Sequence, residues 1–237
     1  MKIPKTKNSR NNLTEYIKGS HKKILKERKE FHISGDILVY VNEPLPENVD
    51  LDYVIKKIET NIPNHLMSGV DVIYVGQIED FAERDVNAKY ADGAIYITNI
   101  QDDNDDMVDD IVHELAHSVE ETALQNIYAD GTLEEEFLGK RKRLFDILSH
   151  EGYNIPREVF LTTEYSRSFD EYLYKYLGYP LLQNLTMGLF NTAYGVTSIR
   201  EYFATGFEEY FLGDRTYLRK ISPQLYLKLE SLSEEEF

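Results

Sequence analysis

Asp105 to Leu124 reads DDMVDDIVHELAHSVEETAL, with His113-Glu114-Leu115-Ala116-His117 at its centre. An H-E-x-x-H segment on a helix puts two imidazoles one turn apart, where both can reach one Zn²⁺. The glutamate between them stays free to take a proton from a metal-bound water. At 100° per residue, His113, Glu114, His117 and Glu121 share one side, while Val108, Ile111, Val112, Leu115 and Val119 gather on the other. One face is therefore expected to pack and the other to hold metal. The preceding run Asp102-Asp103-Asn104-Asp105-Asp106 supplies an N-cap and negative charge where the helix dipole favours it. These aspartates do not follow a calcium loop, because Met107 stands where an EF-hand requires Gly.

The bulk numbers fit a folded enzyme of this kind. A chain of 237 residues with 42% apolar content can build its own core. With no Cys, a metal site must be made of His and carboxylate, and no disulfide framework exists. No run is long and apolar enough for a transmembrane helix or a secretory signal, so the chain is expected in the cytoplasm where it is made, unless a non-classical route or a larger assembly carries it out. The net charge is −16, but residues 1–30 carry 10 Lys+Arg against 3 Asp+Glu, a local +7 that leaves −23 for residues 31–237. An acidic body argues against nucleic acid as a partner. The basic arm, with a helix expected over about Leu13–Lys29, reads as a solvated segment, with docking on an acidic partner or a membrane surface as the alternative.

Outward from the central stretch, Asp36–Asn42, Val70–Val75 and Ala94–Thr98 are β-rich runs bounded by turn residues, and Leu51–Thr60 has helical apolar spacing. Peptidases of this type bind extended substrate along a sheet edge, and Ala94–Thr98 reads either as that edge strand or as an ordinary interior strand. Beyond Leu124 the pattern turns helical, over Leu133–Ser149, Phe169–Tyr179, Leu181–Leu189, Ile199–Phe211 and from Pro223 to about Ser231. The tyrosines of Phe169–Tyr179 are expected to be packing residues. The fold class implied is α+β, with a basic arm (1–30) before one domain (31–237). Within that domain an α/β lobe (31–124) carries the H-E-x-x-H helix, and a mainly helical lobe (125–237) follows.

A catalytic zinc needs a third protein ligand. The metzincin extension fails, since Glu120 and Ala123 stand where Gly and His are required. By residue type alone the ligand is open among Glu201, Glu208, Glu209, Glu158, Glu164 and Asp170. Glu201 is the best placed, on a helix whose stripe of Phe203, Phe207 and Tyr210 leaves it facing elsewhere.

His113-Glu-Leu-Ala-His117, followed about eighty residues later by Glu201-Tyr-Phe-Ala-x-x-Phe207, resembles the anthrax lethal factor family of zinc metallopeptidases, which includes the Pro-Pro endopeptidases. The resemblance spans roughly Asp92–Leu232 and takes in Ser222-Pro223-Gln-Leu-Tyr226, similar to the family's closing helix. It implies a zincin-like fold, one Zn²⁺ on His113, His117 and Glu201, Glu114 as general base, and Tyr194 as a stabiliser of the oxyanion. It also implies that Glu120 or Glu121 orients a ligand histidine. Thr205 departs from the family, whose members usually carry a second Glu there. The function implied is zinc-dependent endopeptidase. The rival reading is a catalytically retired metallopeptidase module that binds or scaffolds within a toxin or larger particle.

Overall fold

The computed structural model describes residues 30–78 and 87–234. The arm helix expected over Leu13–Lys29 lies outside them. The chain opens with β1 (Glu30–Ile33) and β2 (Ile37–Val41), joined by a tight turn in which Ser34 and Gly35 have φ of 53° and 84°. Helix α1 (Leu51–Asn61) starts where the Asp50 carboxylate accepts from the amides of Asp52 and Tyr53. Then come β3 (Val72–Val75), β4 (Ala88–Ala91) and β5 (Ala94–Ile97).

The strands form one mixed sheet in the order β1-β2-β3-β5-β4. β2, β3 and β5 run parallel, and the outer strands β1 and β4 pair antiparallel with β2 and β5. Ala94–Thr98 is therefore not an edge, because β4 covers β5, so the edge on that side is Ala88–Ala91. Asp92 and Gly93, at φ of 50° and 79°, form the two-residue turn between the two strands, a conformation that Asp-Gly adopts readily.

Helix α2 (Asn104–Thr122) follows, capped by the Asp103 carboxylate on the amides of Asp105 and Asp106. Val108, Ile111, Val112, Leu115 and Val119 are all buried, as the periodicity requires. They face the sheet and α1, whose Leu51, Val54, Ile55 and Ile58 complete that core. Asn104 Oδ1 also accepts from the Asp50 amide at 2.6 Å, tying the starts of α1 and α2 together.

The second half of the chain is helical: α3 (Leu124–Tyr128), α4 (Thr132–His150), α5 (Arg167–Glu171), a π-helical stretch (Tyr172–Leu177), α6 (Tyr179–Thr186), α7 (Ile199–Leu212), α8 (Arg215–Ile221) and α9 (Pro223–Glu234). The tyrosines around the π-helix divide. Tyr172 and Tyr179 pack against the core, whereas Tyr174 and Tyr176 stand 50% and 72% exposed. Helix α7 lies across α2, and its Phe203, Phe207 and Tyr210 are buried. Gly206 lets α9 close on α7: a Cβ there would sit 2.2 Å from Leu225 Cδ2. The buried residues form one cluster running from the sheet through α2 and α7 to α9. Among the described residues, no helix is long and apolar enough to cross a membrane.

Candidate metal centre

The polar face of α2 meets α7, and His113, His117 and Glu201 converge there with ligand atoms that all lie within 4.8 Å of one another. Glu201 sits in the first turn of α7, where Ser198 caps the helix by accepting from the Glu201 amide at 3.2 Å. Its Oε2 lies 3.0 Å from His113 Nε2 and 3.7 Å from His117 Nε2. Two ligands about 2.1 Å from a tetrahedral zinc are roughly 3.4 Å apart, so the two separations bracket the spacing the metal requires. Two nitrogens and one carboxylate oxygen, part-buried and turned to a common point, suit zinc better than a harder ion that prefers all-oxygen sites.

The opposite nitrogen of each imidazole faces a carboxylate. His113 Nδ1 is hydrogen-bonded to Glu208 Oε1. His117 Nδ1 lies 3.5 Å from Glu120 Oε2. Glu120 is anchored in turn by the Tyr128 hydroxyl at 2.5 Å and by Arg200 Nε at 2.7 Å. Carboxylates behind the δ-nitrogens favour the tautomer that turns Nε2 toward the metal point. Of the acidic pair after the second His, Glu120 takes this part, while Glu121 is exposed and lies near Tyr90. The other candidate ligands are elsewhere. Glu209 accepts from the Asp214 amide, Asp170 from the Tyr165 hydroxyl, and Glu158 and Glu164 are exposed.

Burial penalises every charge in this cleft, and the ion pairs oppose it. The Glu201 carboxyl, which burial alone would raise, is held down to about 2 by the two imidazoles. Burial pulls His117 down, but Glu120 and Glu201 outweigh it and push the imidazole up to about 9; His113 is raised in the same way by Glu201 and Glu208. A divalent cation would take over this role from the protons.

Glu114, buried on α2, points to the sheet edge, where its Oε2 accepts from the Tyr90 amide at 2.5 Å. Burial raises its carboxyl above the ordinary range, and His117, His113 and that amide partly offset the effect. The Thr98 amide donates to Asn87 O, so in the antiparallel β4–β5 ladder Lys89 and Ala91 also bond inward, while the backbone groups of Ala88 and Tyr90 face the open side, toward Glu114.

Tyr194 sits on a 3₁₀ turn, its ring centroid 6.1 Å from that of His113. The turn is pressed onto α7, because a Cβ on Gly195 would stand 2.7 Å from Thr205 Oγ1. Burial raises the Tyr194 hydroxyl well above its ordinary range, so it stays protonated and able to donate. Thr205, where the resemblance expects Glu, donates instead to Glu201 O at 2.8 Å. Sequence reasoning missed Arg200, Tyr128 and the Tyr90 amide. Of these only Arg200 carried a signal, as a charge beside the candidate ligand.

Asp110, one turn before Glu114, is raised by burial to about 6, and Gln101 Nε2 donates to it at 3.3 Å. The folded state therefore binds this proton more tightly than the unfolded chain, and the stability so contributed is lost as pH rises from the ordinary carboxylate range through about 6. Asp110→Asn should thus stabilise the metal-free protein by about 1–3 kcal/mol at pH 7 and by only about 0.5 kcal/mol at pH 4. Thermal melts of both proteins at the two pH values check this.

Compared with known proteins, the chain matches no family model, no curated protein and no solved structure.

Proposed function

We propose that this chain is a zinc-dependent endopeptidase with a zincin-like active site, of the kind the resemblance to the lethal factor family suggests. The observation that carries the proposal is the convergence of His113 Nε2, His117 Nε2 and Glu201 Oε2 on one point, beside a buried Glu114 that is free of that point. When bound, zinc supplies a Lewis acid that activates water and polarises the scissile carbonyl. An extended peptide would pair with the outward backbone groups of Ala88 and Tyr90, so the edge that presents substrate is β4 rather than Ala94–Thr98.

In this reading Glu114 takes the proton of the attacking water and passes it to the leaving amine, a role its raised affinity for protons suits. Tyr194, its ring centroid 6.1 Å from that of His113, would donate its hydroxyl proton to the oxyanion of the tetrahedral intermediate. Glu120, 3.5 Å from His117 Nδ1, faces the side of that imidazole turned away from the metal point.

The test is digestion of a diverse peptide library by the zinc-reconstituted protein, read by mass spectrometry, with and without a chelator. Internal cuts that stop with the chelator and return with zinc support the proposal. A zinc-loaded protein that cuts nothing would favour the retired binding module.

A further inference from the structure

We infer that Glu208 is the positioning residue for His113: its carboxylate orients the imidazole so that Nε2, and not Nδ1, is offered to the metal. The inference rests on the zinc reading of the site. It starts from the register of two helices. Glu201 lies against both His113 and His117, Arg200 meets Glu120, and Glu208 meets His113 from the other side, so α7 runs antiparallel to α2 across the contact. Residues seven apart on a helix return to the same face two turns on. Glu201 and Glu208 therefore straddle one imidazole, with Glu201 Oε2 at Nε2 and Glu208 Oε1 at Nδ1.

Thr205, on the turn between them, cannot share this work, because its hydroxyl is spent on Glu201 O and its side chain is pressed against Gly195. His113 and His117 are thus held differently. The carboxylate behind His117 comes from its own helix and is locked by Tyr128 and Arg200 with its side chain 5% exposed. The carboxylate behind His113 comes from the helix that carries the third ligand and is 24% exposed. Among the described residues, His113 is its hydrogen-bond partner. Glu208 can therefore be altered without dismantling another contact of the cluster.

The experiment is a zinc titration against a chromophoric chelator, with zinc alone as the probe and no substrate present. Wild type is compared with Glu208→Ala, Glu208→Gln and, as a charge control, Glu121→Ala on the exposed part of α2. Glu208→Ala should weaken zinc about 10–100-fold, the usual effect of losing a partner behind a ligand. Glu208→Gln keeps an oxygen acceptor for Nδ1–H and should lose less than Glu208→Ala, while Glu121→Ala should bind as wild type does.

The inference is overturned if Glu208→Ala binds zinc within twofold of wild type, or if Glu121→Ala loses as much as Glu208→Ala. Should Glu208→Ala fail to fold, the near-isosteric Glu208→Gln decides, with measurable weakening expected and unchanged affinity contradicting. Wild type that binds no zinc overturns the zinc reading itself. Wild type that binds tightly beside an unaffected Glu208→Ala overturns only the role of Glu208.

Discussion

Glu201→Ala is expected to lower zinc affinity by at least about 100-fold and to remove any hydrolytic activity with it. A structural zinc site contributes roughly 10–16 kcal/mol through four ligands, so one protein ligand accounts for several kcal/mol. Glu201 would also join the two halves of the proposed site, since His113 and His117 come from one helix and Glu201 from another. Without it the site is an i,i+4 histidine pair on a helix surface, which holds zinc weakly. The measurement is a competitive zinc titration at fixed pH, paired with a melt of the metal-free variant to show that it folds. A Glu201→Ala protein that holds zinc as tightly as wild type would move the third ligand elsewhere.

The second large effect is on stability and comes from Phe207→Ala, expected to cost about 3–5 kcal/mol. Phe207 is fully buried, its ring centroid 4.6 Å from Phe211 and 6.3 Å from Phe203. Truncation leaves a cavity that the surroundings cannot easily fill, because Gly206 and Leu225 already lock α7 against α9. Total stabilities of about 5–15 kcal/mol leave little in reserve after such a loss. For a domain of this size the midpoint should fall by roughly 8–15 °C. Calorimetry measures it, and a loss below about 1 kcal/mol would contradict the packing described for α7.

The site was more legible in the sequence than the sheet around it. Helix α2 announced itself because its apolar positions recur at the helical period and its aspartates cap it, both of them local properties. Strand β4 is not legible in the sequence, because Ala-Lys-Tyr-Ala has little β preference; the strand is defined by pairing with β5 through the turn at Asp92-Gly93.

Arg141 is another feature that local sequence does not state. It lies among charged residues of α4, yet it is fully buried. Its guanidinium donates to Thr162 O and Val159 O and lies 4.4 Å from the Phe169 ring centroid, so backbone carbonyls and aromatic faces replace the carboxylate that a buried cation usually finds. Glu208 was one of six carboxylates considered for the third ligand. Its contact with His113 depends on the register of α7 against α2, and nothing in the local sequence states that register.

In the proposed reaction Glu114 acts as a base beside a zinc held by His113, His117 and Glu201. The most direct measurement compares peptide cleavage by zinc-loaded wild type and zinc-loaded Glu114→Gln, with metal content determined on the same samples. One zinc per chain is expected in both, with cleavage by wild type and a loss of at least about 1,000-fold in the variant, the scale seen when a catalytic group is removed. Equal cleavage by the two proteins, or zinc lost together with Glu114, would contradict it.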